Sequence, residues 1–354
     1  MKNASRFLTT IALATTFTIP ALAQTAASST TTAATTAQND DAKAALYAKH
    51  VENRKKKDTK GNPDPVAQKV AYETGKEYLS KFGGDTNEGN AAIVAYIQKF
   101  VTGYEKAVLE FESNKAFDSA VASKNYPKAY ELGRPLVVAQ PDNFGILLTL
   151  VQIGRDNASA GPKADKSLFA DSARYTRSAI QMVESGKVSD LSSYKTTREE
   201  LLGYLNFTLG MNLRESSPDE AIAAFLKAAQ SNSSFKTFGA TYSNLGTLYF
   251  ENEYKKLAAD YNTNYNGKDK TPESEAAFAR LNQVLDRVID SFARAVALST
   301  QNDPATQAFK TNVKNNLTAV YKSRHNDSEA GLNELIAGVL AKPLPIPGQE
   351  PVPT

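Results

Sequence analysis

The chain has 354 residues, no cysteine, 41 basic and 38 acidic side chains, two histidines and a mean hydropathy of −0.41. The missing cysteine excludes disulfide staples and thiolate metal ligands. The near balance of charge argues against the strongly basic face on which nucleic-acid binding rests.

In chain order, Lys2 and Arg6 precede a mostly apolar run over 7–19, and Pro20-Ala21-Leu22-Ala23 offers an A-x-A cleavage site before Gln24. The expectation is a signal peptide over 1–23 and an exported protein, periplasmic or secreted, with no lipid anchor through cysteine. The run is too short and too threonine-rich to cross a bilayer, and no other stretch reaches about 18 apolar residues, so no integral membrane span is expected. Two of the 41 basic residues lie in this leader, leaving 39 against 38 acidic ones. Residues 24–41 are mostly Thr, Ala and Ser, which bury too little to offset ordering entropy, and predict a disordered tether. His50 and the cluster Arg54-Lys55-Lys56-Lys57 follow, read as the end of a surface helix where cations suit the dipole. Contact with an anionic surface is the alternative role for that cluster.

Over 42–342 apolar residues recur at three- and four-residue spacing, as in Val94, Ile97, Val101, Tyr104 and Val108. Stop signals separate the runs: Gly83-Gly84-Asp85, Gln140-Pro141-Asp142-Asn143, Ser216-Ser217-Pro218-Asp219 and the stretch 264–272. No alternating β-branched run with tight hairpin signals is present, so the region reads as all-α. Prolines at 343, 345, 347, 351 and 353 predict an extended, disordered tail over 343–354.

Small and large residues repeat within the helical region. Tyr242, Leu245, Gly246 and Tyr249 share one face of a predicted helix, and Ala258 follows Gly246 by twelve residues. Gly246 and Ala258 are expected to meet where two antiparallel helices cross about 8–10 Å apart. Leu209-Gly210 opens a similar helix, and after Ser217-Pro218-Asp219-Glu220 its partner presents Ala221, Phe225 and Ala228. Tyr126, Ala129 and Gly133 lead to Pro141, with Leu147, Leu150 and Val151 beginning the next helix. Gly331, Leu335 and Gly338 lead to Pro343, and a weaker copy runs through Ala71, Gly75, Tyr78 and Gly83.

These residues resemble the tetratricopeptide repeat, a helix–turn–helix unit of about 34 residues. The resemblance implies an exported bacterial member of that family: an α-solenoid of about five or six helix pairs over 42–342. The spacing departs from the family around 158–168 and 262–275. An irregular helical bundle would use the same Ala and Gly residues merely to pack.

Catalytic chemistry is sparse. His50 and His325 are far apart in sequence, no H-E-x-x-H, nucleophile elbow or phosphate loop occurs, and Glu199 and Glu200 point about 100° apart at a helix start. His325 is expected at a helix C-terminus, bonding to backbone carbonyls. The expectation is therefore no enzyme, no metal and no cofactor. If Leu209-Gly210 faces its partner helix, Phe207, Met211 and Arg214 turn toward the inner surface of the stack. The same rotation sends Leu148, Gln152 and Arg155, and Ser243, Thr247 and Phe250, inward. The family resemblance implies that this surface binds a protein or peptide segment, as an adaptor or scaffold of the periplasm or cell envelope, without nucleic acid. Two alternatives stay open: a helical enzyme with converging carboxylates, and a glycan- or small-molecule-binding protein with an aromatic-lined pocket.

Overall fold

In a computed structural model the described residues run from 32 to 348, with side chains described from 39 onward. The expected leader, the start of the expected tether and the last six residues of the expected tail lie outside the described residues. Among those described, the secondary structure is helical, with one isolated bridge between Lys57 and Pro63 and no strand. The described residues divide into two compact units, one up to Lys115 and one from Ala116 onward, and the boundary falls inside helix α3 (Glu88–Ala122).

The first unit contains α1 (Thr32–Lys55), α2 (Pro65–Phe82) and the first part of α3. Asp58 organises the turn after the basic cluster, its carboxylate accepting from the backbone N–H groups of Lys60 and Asn62. Asp64 then caps α2 by accepting from the N–H groups of Val66 and Ala67, with Pro65 in the first turn. Tyr78, Ile97 and Val101 form the core, and Leu46, Tyr47, Tyr72 and Ile93 pack against it.

Two expectations are corrected here. Residues 32–41, read as tether, are already helical; extending a helix outward from its packed portion adds a bond per residue fixed, and alanine favours it. His50, read as a surface residue, is completely buried. Its Nδ1 lies 2.8 Å from the Ala71 carbonyl, and its ring meets Tyr96 and Phe100 edge-on. Leu46, Tyr47 and His50 lie at three- and four-residue spacing, which turns all three toward α2 and α3.

The second unit continues from the end of α3 through α4 (Tyr126–Ala139), α5 (Phe144–Ala158), α6 (Phe169–Glu184), α7 (Arg198–Leu213) and α8 (Pro218–Gln230). It then runs through α9 (Gly239–Leu248), a π-helical segment Tyr249–Tyr254, α10 (Lys255–Asn264), α11 (Pro272–Leu298), α12 (Pro304–Arg324) and α13 (Leu332–Gly338). Side-chain caps start many of these helices, including Asn125, Asn143, Thr197 and Asp303, and Thr271 with Ser274 forms a reciprocal capping box. Helices pack in adjacent pairs along the chain: α5 on α6, α6 on α7, α7 on α8, α8 on α9, α9 on α11 and α11 on α12. α5 also touches α7.

Small-against-large packing closes two of these pairs. A β-carbon on Gly210 would come within 2.7 Å of the Phe225 ring, so α7 and α8 approach through that glycine. Gly246 does the same for α9 and α11, and its partner corrects the expected one. A β-carbon there would lie 2.7 Å from the Phe292 ring, whereas Ala258 sits on the same helical run as Gly246. The chain does not turn after α9, because the π segment carries it directly into α10, and the facing helix begins only at Pro272.

The end of the second unit also departs from expectation. Residues 344–347 are half-buried, and Leu344 packs against the core. Arg294 donates through Nη2 to the carbonyls of Lys342 and Pro343, each at 2.9 Å. The described start of the tail is therefore seated on the domain, because carbonyls left without helical partners find a buried guanidinium. At the end of α12, His325 closes the helix with its backbone N–H, while its ring stacks on Tyr321 at 4.1 Å.

Candidate functional site

Helix α7 governs what the expected surface can present. From Leu205 to Leu213 every residue is buried, because α5, α6, α8 and the 3₁₀ turn Ser234–Thr237 cover its sides. The sequence here, LLGYLNFTLGMNL, is apolar nearly all round, the pattern of an enclosed helix. Phe207 is 3% exposed and Met211 is 8% exposed, so both are core residues and neither faces a groove. Phe207 lies at the centre of an aromatic cluster, with ring centroids 5.5 Å from Phe225, 5.2 Å from Phe235 and 5.4 Å from Phe238.

The remaining expected residues are half-buried or exposed. On α5, Leu148 and Arg155 are half-buried and Gln152 is exposed. Arg214 at the end of α7 is half-buried, as are Ser243 on α9 and Phe250 in the π segment, while Thr247 is exposed. Contacts join two of these helix pairs. The Arg155 guanidinium lies 5.1 Å from the Tyr204 ring centroid and 5.9 Å from those of Phe207 and Phe235, tying α5 to α7. Arg214 donates through Nη1 to the Asn244 side-chain oxygen at 3.1 Å, tying α7 to α9, and through Nε to the Met211 carbonyl at 3.3 Å. Phe250 is stacked on Tyr254 within its own segment, at 5.3 Å between centroids.

Electrostatics set these two arginines apart from the surface ion pairs. Their partners are aromatic faces, an amide oxygen and a backbone carbonyl, none of which neutralises a guanidinium. Burial lowers the Arg214 pKa, with Glu215 opposing, but an arginine stays protonated throughout the physiological range. Burial also pushes the Tyr204 hydroxyl up, against the pull of Arg155. Arg155 shares α5 with the exposed Gln152, and Arg214 is bound to Asn244 on α9, three residues before the exposed Thr247. The chemistry of these groups is that of anion and hydrogen-bond recognition.

Sequence reasoning missed Tyr204, Phe235, Phe238 and Asn244, which hold or border these arginines. Phe235 and Phe238 follow Ser233-Ser234 in a stretch that reads as loop, and no repeat spacing singles them out. The π segment was also missed, although the absence of Gly and Pro between Gly246 and Gly267 signals an uninterrupted helix.

Two surface depressions lie elsewhere in the second unit. One, of about 700 Å³, is lined by Ala319, Lys322, Ser323, Asn326 and Asp327, and another, of about 490 Å³, by Ser192, Lys195, Thr196, Thr197 and Glu200. Neither includes any of the nine expected residues. Among the described residues no group of three or more His, Asp or Glu converges as a metal site requires, and no helix is long and apolar enough to cross a membrane. No family model matches this chain, and comparison with curated proteins and with solved structures found no significant match.

Proposed function

We propose that this chain is a non-enzymatic binding protein of the bacterial periplasm or cell envelope, a solenoid of TPR-like repeats that takes an acidic protein or peptide segment. The surface is formed by α5, the end of α7 and α9. Its polar contacts come from Gln152, Arg155, Arg214, Ser243 and Thr247, and Leu148 and Phe250 supply apolar flanks.

The observation that carries this reading is the immobilisation of Arg155 and Arg214 by neutral partners on the neighbouring first helices of successive pairs. A guanidinium already held in place loses less entropy on meeting a carboxylate, so its pairing is worth more than that of a free surface arginine. The ordered packing of adjacent helices, closed at Gly210 against Phe225 and at Gly246 against Phe292, supports the repeat reading. Export rests on the leader in the sequence, and N-terminal sequencing of the mature protein should begin at Gln24.

Fluorescence anisotropy with short peptides graded from basic to acidic tests the reading. Acidic peptides should bind, and Arg155→Gln or Arg214→Gln should each weaken them by about tenfold or more, the range of a lost charge-assisted hydrogen bond. Equal affinity for basic and acidic peptides would remove it.

A further inference from the structure

The seat of the C-terminal segment is built as a recognition site. Arg294 is 5% exposed and lies on α11, a helix buried along most of its second half. Asp290, one turn earlier, holds the guanidinium through Oδ1 to Nε at 2.6 Å and Oδ2 to Nη2 at 3.3 Å. The same Nη2 makes its two shorter hydrogen bonds to successive backbone carbonyls, those of Lys342 and Pro343.

The sequence seated there is Lys342-Pro343-Leu344-Pro345-Ile346-Pro347. Proline has no N–H, so such a stretch offers carbonyls and apolar side chains and cannot join a helix or sheet. A donor that reads adjacent carbonyls, beside a surface that accepts Leu344, matches that chemistry. The segment covers its seat incompletely. Val339 is completely buried, Pro343 is exposed, and 344–347 are only half-buried.

We propose that the face of α11 around Arg294 is a binding site for extended Pro-apolar-Pro chains, occupied in cis by residues 342–348 and open to exchange with a peptide of the same chemistry. Tethering gives the cis segment an effective concentration on the order of millimolar, so a weak site stays filled in the isolated chain. A ligand in trans must reach that range, or bind more tightly, to displace it. The site shares no residue with the surface on α5, α7 and α9 and does not depend on the function proposed for it.

The chain has no cysteine, so Pro347→Cys in the full-length protein allows a single nitroxide label on the segment. The label should be immobilised in the free protein. Adding a synthetic peptide of residues 342–354 should raise its mobile fraction saturably, with a midpoint on the order of millimolar. Arg294→Lys keeps a charge for Asp290 but replaces the planar fork by a single nitrogen one bond short of Nη2, which loosens its hold on the two carbonyls, and should free the label without peptide. Leu344→Ser should do the same while altering only the segment. A label that stays immobilised with peptide at many times that midpoint, or in both variants, would make the segment a permanent part of the fold and overturn the proposal. A label already mobile in the unmodified background would overturn it as well.

Discussion

Gly246 on α9 faces the ring of Phe292 on α11 so closely that a β-carbon would stand 2.7 Å from both Cδ1 and Cε1. Phe292 is itself 4% exposed, so its ring has little room to move away. Gly246→Ala should therefore cost about 1–3 kcal/mol through overpacking. Phe292→Leu in the same chain should recover part of that loss, because the clash lies with the ring. Urea unfolding of the two single variants and the double variant measures the coupling. Ala258→Leu is expected to cost less than Gly246→Ala, since Ala258 does not stand at that crossing.

Phe207 sits among Phe225, Phe235 and Phe238 and beneath the Arg155 guanidinium. Phe207→Ala should cost about 3–5 kcal/mol as a core truncation. The variant is unsuited to testing binding, because lost stability would imitate lost affinity. Gln152→Ala and Thr247→Ala, both at exposed positions, should leave stability within about 0.5 kcal/mol. Thermal melts of the three variants separate core from surface.

His50 makes the first unit sensitive to mild acid. Burial lowers its pKa below the ordinary 6.5, and the nearby Arg54 charge adds to this, against the opposing hydrogen bond to Ala71. The ring otherwise meets Tyr96 and Phe100, neither of which can stabilise an imidazolium through a carboxylate. The folded state thus prefers neutral His50 while the unfolded state takes up a proton near pH 6.5. Stability is full above that pH and is lost as pH falls through the depressed folded value. Asp58, Glu77 and Asp85 are held below their ordinary values, chiefly by hydrogen bonds from Asn62, Lys81 and Lys43, so they remain ionised over this interval. Hydrogen exchange of α1 and α2 amides, corrected for intrinsic rates, should show protection falling as the pH is lowered from 7.5 to 5. In His50→Gln that change should flatten.

Asn244 holds Arg214 from the neighbouring helix. Asn244→Ala should leave the fold intact and weaken acidic peptides less than Arg214→Gln does, because the charge remains while its placement loosens. Calorimetry should show a larger entropic penalty for binding to Asn244→Ala. An unchanged binding entropy would mean that the hydrogen bond does not pre-position the guanidinium.

The legible parts of this molecule are those where local chemistry decides. Pro218 after Ser217, Asn125 before Tyr126-Pro127 and the Leu209-Gly210 pair each mark a helix start or a close approach, although the residue that Gly210 meets is the large Phe225 ring and not a small side chain. Gly246 misled because its partner lies beyond a π segment and a further helix, at a distance no short repeat encodes. The candidate surface was legible as a set of helix positions but not as side-chain environments. Rotating α7 by its Leu-Gly pair turns Phe207 and Met211 toward the expected open surface, yet Phe207 still reaches the Phe225 ring on α8. The 3₁₀ turn after α8, with Phe235 inside it and Phe238 just beyond it, then covers Phe207. His50 was legible in its spacing from Leu46 and Tyr47, yet its polarity masked it.

The central claim is that Arg155 and Arg214 mark one docking surface across α5, α7 and α9. Hydrogen–deuterium exchange with a saturating acidic peptide tests it most directly. Slowed exchange should appear together over 148–155, 211–214 and 243–250, and should disappear in the Arg155→Gln, Arg214→Gln double variant. Protection confined to other helices, or unchanged by the double variant, would contradict it.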